Sequence, residues 1–157
     1  MRRSRRMVSF HFMSTPRIVE STLEFPYSRS LGPVVGAFLA GLKEHRLFGI
    51  RTRDGKVIVP PLEYDPNTGD ALEELVEVGP QGTVSSWTWV EAPTPKHPLD
   101  RPFAFALVTP DGADTAMVHA VDAGSIDKMA TGMRVQPRWR AEAHNMIDDL
   151  ACWEPAS

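Results

Sequence analysis

The sequence predicts a mainly β protein in which one N-terminal helix and a small hairpin module precede a closed barrel of five or six short antiparallel strands. Three observations carry this reading: one stretch with helical spacing, two turn-rich β segments directly after it, and strand-like runs parted by Gly and Pro turns from Ala71 onward. The 157 residues, 42% hydrophobic and 24% charged, are one domain's worth of chain with enough apolar surface to bury a core. Disorder over the whole length and two full-sized domains are both excluded.

The helix is placed at about Leu31 to Arg46. Ser30 is a plausible N-cap, Pro33 suits the first turn, and Val34, Val35, Phe38, Leu39 and Leu42 form an apolar stripe at helical spacing. Core packing accounts for the stripe. Phe25, Pro26 and Tyr27 read as an extended lead-in able to pack on a partner or on their own domain. The hairpin module follows: Leu47 to Arg51, a turn at Arg53-Asp54-Gly55, Lys56 to Val59, Pro60-Pro61, and a second turn over Asp65 to Gly69. The barrel strands are expected at Leu72 to Val78, Thr83 to Glu91, Pro102 to Thr109, Thr115 to Val121 and Met133 to Arg140, with a weaker run from Asn145 to Trp153. Phe103, Phe105 and Leu107 alternate with Ala104, Ala106 and Val108, so this strand is expected to be covered on both faces. The barrel core is expected to contain Phe103, Phe105, Leu107, Val84 and Val118. Strict alternation puts Trp87 and Trp89 on one face with Thr83 and Ser85, and Val84 and Val90 on the other.

Charge and cysteine content narrow the function classes. Arg2, Arg3, Arg5 and Arg6 precede every acidic residue, and residues 13 to 157 carry 13 basic against 20 acidic residues, so the body is acidic. That argues against a nucleic-acid binder, whose affinity comes largely from a basic face. The arginine-rich start lacks the apolar stretch and cleavage site of a signal peptide, and residues 1 to 12 read as tail. The longest apolar run, Val34 to Leu42, is interrupted by Gly36 and Gly41 and is too short to span a membrane. Cys152 is the single cysteine; it permits no internal disulfide and fits a cytoplasmic setting.

Leu47-Phe48-Gly49-Ile50, Gly55-Lys56-Val57-Ile58-Val59-Pro60-Pro61, Gly82 to Thr88, Arg101 to Leu107 and Thr131 to Val135, in this order and spacing, resemble the DUF35 family from about Phe25 to Trp153. The resemblance implies an N-terminal helix, a rubredoxin-like zinc ribbon and a C-terminal OB-fold. The expected organisation is a flexible tail over 1–24, the helix region over 25–47, a degenerate zinc-ribbon hairpin over 48–70, and a five- to six-stranded OB-fold barrel over 71–157. The family ribbon carries Cys-x2-Cys-Gly, a hairpin ending in Pro-Pro, and Cys-Pro-x-Cys-Gly. Anchoring on Gly55, Pro60-Pro61, Pro66 and Gly69 places Arg51, Asp54, Asp65 and Thr68 at the four ligand positions. Zinc in such ribbons is held by thiolates and imidazoles, so the metal is expected to be lost and no cofactor is expected. Asp54 and Asp65 would then act as turn-forming side chains, with an Arg51 ion pair to one of them as an alternative to plain solvated turns.

Catalytic patterns are scarce: there is no Gly-x-Ser-x-Gly elbow, phosphate loop, dinucleotide fingerprint or His-x-x-x-His pair. Cys152 reads as a packed thiol, His119 as a satisfied core or interface histidine, and His45 and His97 as solvated. Asp111 and Asp114 read as turn residues. The family resemblance implies instead an accessory subunit of thiolase-like enzymes, including lipid-transfer-type aldolases of acyl-CoA metabolism, lying near the acyl-CoA site. On this reading Trp87, Trp89, Arg134, Arg138, Phe25 and Tyr27 are the candidate contacts to partner or acyl-CoA, no residue is catalytic, and no nucleic acid is bound. The rival is single-stranded nucleic-acid binding, with Trp87 and Trp89 as stacking platforms and Arg134, Arg138 and Arg140 as a phosphate-facing stripe.

Overall fold

The computed structural model describes residues 30–157, so the proposed 1–24 tail and the Phe25 and Tyr27 contacts lie outside the described residues. Helix α1 runs Pro33–Lys43, shorter at both ends than its spacing predicts. Gly32, not Ser30, is at its N-cap, and the acceptor comes from far along the chain: the Glu63 carboxylate takes the N–H groups of Val34 at 3.4 Å and Val35 at 3.0 Å. At the other end His45 turns left-handed, with φ 61°, and the Arg46 N–H returns to the Gly41 carbonyl at 2.9 Å. Gly41 is required there, because a Cβ would overlap the Phe48 ring. Val34, Phe38 and Leu42 form the buried face.

Strands β1 (Leu47–Arg51), β2 (Val57–Ile58) and β3 (Leu75–Val78) form a three-stranded antiparallel sheet in the order β2-β1-β3. Its own apolar cluster is small: Val34, Ile50 and Leu72, with Ile58 and Leu75 packed against them. The free edge of β2 is met by the barrel. Val57 donates its N–H to the Asp114 carboxylate and accepts the Asp114 N–H, both at 2.8 Å. The Thr115 hydroxyl accepts the Val59 N–H at 2.8 Å and contacts the Val59 carbonyl at 3.0 Å. The turn expected to contain ordinary Asp111 and Asp114 therefore stitches the two sheets together.

Strands β4 (Gly82–Val90), β5 (Phe103–Pro110), β6 (Met117–Val121), β7 (Arg134–Trp139) and β8 (Leu150–Pro155) close into a barrel in the order β4-β5-β6-β8-β7. The first three make a meander. β8 pairs parallel to β6 through Val121 and Trp153, and β7 closes the ring through Gly82–Val135 and Thr83–Arg134. This is the five-stranded Greek-key barrel of the OB-fold. Its interior holds Val84, Ala104, Ala106, Val108, Val121, Val135, Leu150 and Trp153, continuous with Phe38 and Leu42 of α1.

Two features of the barrel depart from strict alternation. A bulge at Ser85 makes Val84 oppose Val108 while Ser86 opposes Leu107. The extra residue reverses parity, so Trp87 and Trp89 lie opposite Ala106 and Ala104 and pack against the same core as Val84, not away from it. On β5 the small side chains Ala104, Ala106 and Val108 point inward. Phe103 and Phe105 belong to a separate cluster outside, with Ala120, Cys152, Val90 and Leu99. Of the five expected core residues, Val84 and Phe103 are fully buried, Phe105 is half-buried, and Leu107 and Val118 are 38% and 65% exposed. A five-stranded barrel that already encloses Trp153 leaves room only for small residues on β5.

Candidate docking face and the hairpin knuckles

The outer face of β4, β5 and β6 carries two exposed aliphatic side chains, Leu107 and Val118. Ser86 and Thr88 oppose Leu107 and Phe105, and Leu107 opposes Val118. These residues border a shallow depression of about 240 Å³ whose lining holds no charged residue. The connection between β4 and β5 folds over one end of this face. His97 rests its ring edge on Phe103 and Phe105, at 5.8 and 6.1 Å between centroids. Its Nδ1 accepts the Thr94 N–H at 2.8 Å, so it is a packed loop histidine and not a solvated one. Beside it, Lys96, His97 and Pro98 from this connection and Arg140, Asp148 and Ala151 from the β7–β8 side line a cleft of about 500 Å³. The outer faces of the second and third strands and these two connections are the customary ligand-binding region of OB-folds.

The candidate contacts fall into distinct groups. Trp87 and Trp89 are half-buried against the core, and the Trp89 indole N–H donates to Glu91 at 2.7 Å, so neither stands out as a stacking platform. Arg134 and Arg138 do share the outer face of β7, as their spacing predicts, but both are held by carboxylates. Arg134 makes a two-pronged pair with Asp111 and reaches Thr83 and Gln81. Arg138 meets Asp122 at 2.9 Å and Glu154 at 3.5 Å. Arg140 meets Asp148 at 2.7 Å. The expected phosphate-facing stripe is thus an ion-paired lattice across strands. Asp122 is its most enclosed member, receiving Arg101 as well as Arg138. Burial alone would raise its pKa, yet the bonds from these two guanidiniums hold it below the ordinary carboxylate value.

Other titratable groups are packed away. Cys152 is buried and its thiol pKa is pushed up to about 11 by burial, which keeps it protonated and inert. His119 faces the interior opposite Ala106. Burial lowers its pKa, and its Nδ1 has no partner, so it is not the satisfied histidine expected. His45 is exposed, as expected, and stacks on Trp139 at 5.3 Å. Among the described residues, the cluster with metal-ligand proximity is His144, Asp148 and Asp149, but the Asp149 carboxylate is committed to the backbone N–H groups of His144, Asn145 and Met146.

The four positions that correspond to ribbon ligands do not fit a zinc ion. Arg51 pairs with Glu74 at 2.7 Å and donates to the Gly55 carbonyl at 3.1 Å; it meets neither Asp54 nor Asp65. Asp54 accepts the Thr52 hydroxyl and pairs with Lys56 at 3.2 Å. The Thr68 hydroxyl donates to Asp70 at 2.9 Å. Asp65 is 2% exposed and spends both carboxylate oxygens on backbone N–H groups: one takes Arg53 at 2.9 Å, the other Asn67 at 2.8 Å and Thr68 at 3.3 Å. Those bonds, the Arg53 N–H foremost, hold its pKa below the ordinary value against the effect of burial. A permanent cation and fully bonded carboxylates leave no donor set for a soft tetrahedral site.

Known proteins agree with this geometry. A family profile described as the C-terminal OB-fold domain of ChsH2 matches residues 75–140. No curated protein sequence matches the chain. Among solved structures, a Sulfolobus solfataricus protein of unknown function from the DUF35 family is 20% identical with a TM-score of 0.56; the alignment covers 68% of this chain and 77% of that one. The structure described as the Ltp2–ChsH2(DUF35) aldolase is 24% identical with a TM-score of 0.60, over 83% of this chain and 100% of that one. Residues 75–140 are thus similar to the C-terminal OB-fold domain of ChsH2, and the chain shares the OB-fold of these two DUF35 structures, the fold that its motifs imply.

Proposed function

We propose that this protein is a non-catalytic accessory subunit of an aldolase-type or thiolase-like enzyme acting on acyl-CoA, docked through the outer face of β4, β5 and β6. The observation that carries the reading is the chemistry of that face. The most exposed apolar side chains of this face are aliphatic, Leu107 and Val118, beside uncharged Ser86 and Thr88, while the aromatic rings in its lining, Trp87 and Phe105, are half-buried and not free for stacking. Exposed aliphatic surface without charge suits the centre of a protein interface, with ion-paired arginines as its rim. The likeness to a DUF35 chain solved as an aldolase complex supports the same partner class. Lys96 beside the adjoining cleft is the basic group that an acyl-CoA phosphate would meet there.

The nucleic-acid reading loses both its supports, since the tryptophans pack on the core and Arg134, Arg138 and Arg140 are each paired with a carboxylate. The test is co-expression with the neighbouring thiolase-like gene, followed by co-purification and comparison of enzyme activity with and without this chain. Association, with higher solubility or rate for the enzyme and no turnover by this chain alone, is expected. Two proteins that neither associate nor alter each other's solubility or rate, with no acyl-CoA binding by the isolated chain, would refute the proposal.

A further inference from the structure

The two knuckles of the small sheet are joined by one buried side chain, with an exposed Arg53–Asp70 pair at 3.9 Å beside it. In a metal ribbon, two turns far apart in sequence are clamped because each contributes two ligands to one ion. Here the first turn, over Thr52 to Gly55, and the second, over Asp65 to Gly69, contain no cysteine or histidine. The strands of this sheet are packed on both sides, Leu47, Val57, Val59 and Val78 in the main core and Ile50 with Val34 and Leu72 in the smaller cluster. The turns, however, bury no apolar side chain: only Thr52 and Asp65 are buried within them. Polar contacts must therefore offset the chain entropy of ordering two glycine-containing turns.

We infer that the Asp65 carboxylate replaces the ion as the clamp between the knuckles, so that this ribbon folds without metal. The geometry is that of an anion in a cup of backbone donors. One oxygen reaches across to the first knuckle and accepts the Arg53 N–H, while the other organises its own turn through Asn67 and Thr68. The surrounding pairs work with it: Gly69 returns its N–H to the Asp65 carbonyl at 2.8 Å, and the Asp65 N–H bonds the Asp70 carbonyl at 2.8 Å. Arg51, Asp54 and Thr68, at the other three positions that correspond to ribbon ligands, each bond within a single knuckle, to its flanking residue or to Glu74 just before β3, so none of them bridges. An acceptor with two oxygens is what the arrangement demands. Asparagine would offer one acceptor and turn an N–H toward the remaining donor, and alanine would offer none. This assignment is independent of what docks on the barrel.

The experiment is amide exchange, read residue by residue by NMR at neutral pH, on the full chain. In the wild type, the Arg53 and Asn67 amides are expected to be protected in metal-free buffer and unchanged by added zinc or chelator, with no stoichiometric zinc by elemental analysis. Asp65→Asn should speed exchange at Arg53 or Asn67 by about tenfold or more, and Asp65→Ala at both, while Val108 and Val135 in the barrel change little. Placing cysteine at positions 51, 54, 65 and 68 together should restore one tightly bound zinc and make protection of these amides metal-dependent. Wild-type protection that appears only with zinc, or Asp65 variants that exchange like the wild type, would overturn the inference. If the Asp65 variants fail to fold, the wild-type zinc and chelator measurements decide the matter alone.

Discussion

The small sheet and the barrel share one apolar core but differ in what holds their ends. The barrel closes on a continuous apolar interior in which Val84, Val108, Val121, Val135, Leu150 and Trp153 are completely buried. The small sheet lays Leu47, Val57, Val59 and Val78 on that core and secures its ends and turns by directed polar contacts: Glu63 on the helix N-terminus, Asp65 on two turns, Asp114 and Thr115 along its edge. The difference teaches how each half can change. An apolar interior tolerates substitution only when volume is kept. On the inference that Asp65 clamps the two turns, the small sheet tolerates change only where those backbone donors keep an acceptor.

The comparison breaks first at Trp153. It is the largest fully buried side chain and joins three strands through its pairing with Pro137 and Val121. Trp153→Ala should destabilise the chain by about 3–5 kcal/mol, measured by urea unfolding, because the surrounding strands cannot collapse into the space. A loss under about 1 kcal/mol would mean that the barrel does not depend on interior packing as argued.

Legibility in the sequence followed the same division. The helix stripe, the two glycine turns and the places of the strands were readable because each rests on local periodicity or turn chemistry. The Leu72 to Val78 run, expected as a barrel strand, pairs instead as β3 with β1 in the small sheet, a long-range choice that local pattern does not carry. Burial of Leu107 and Val118 was misread because their runs are apolar on both sides, and hydropathy alone cannot say which side a narrow barrel takes in. The facing of Trp87 and Trp89 was lost to one inserted residue at Ser85, and the Ser85-Ser86 doublet was the only hint. Partners of Arg51, Asp65, Asp114 and Arg134 are set by contacts between distant segments, which no local pattern encodes.

Asp122 carries the next effect, a test of whether polar contacts also matter to the barrel. Asp122→Ala would leave Arg101 and Arg138 facing one another without their shared carboxylate, and a loss of about 1–3 kcal/mol is expected. The pH dependence has a definite sign. Since folding depresses the Asp122 pKa, its contribution is complete above the unfolded value near ~4 and is lost as pH falls through the folded value. The wild type should therefore lose more stability than the Ala variant on acidification below about pH 4. Parallel pH profiles for the two would show that the triad contributes nothing.

The seam between the halves is probed by Thr115→Val, which keeps the shape but removes the hydroxyl that serves both backbone groups of Val59. A cost of about 1 kcal/mol is expected, with faster amide exchange at Val59 while the barrel amides stay protected. Uniform loss of protection across both halves would show that they unfold as one unit and that the contrast between them is only architectural.

The smallest effect on stability and the most telling for function belongs to Leu107 and Val118. Because both side chains already meet solvent, the double substitution Leu107→Ser, Val118→Ser should shift the unfolding free energy by no more than about 0.5–1 kcal/mol. If these residues centre the proposed docking face, the same change should weaken association with the co-expressed aldolase-type subunit by about tenfold or more, read by co-purification and titration calorimetry. Val108→Ala is the contrasting control: it removes volume from the barrel interior and should lower stability before it touches binding. A double variant that binds the enzyme like the wild type would move the interface away from the β4–β6 face while leaving the accessory role itself open to the co-expression test.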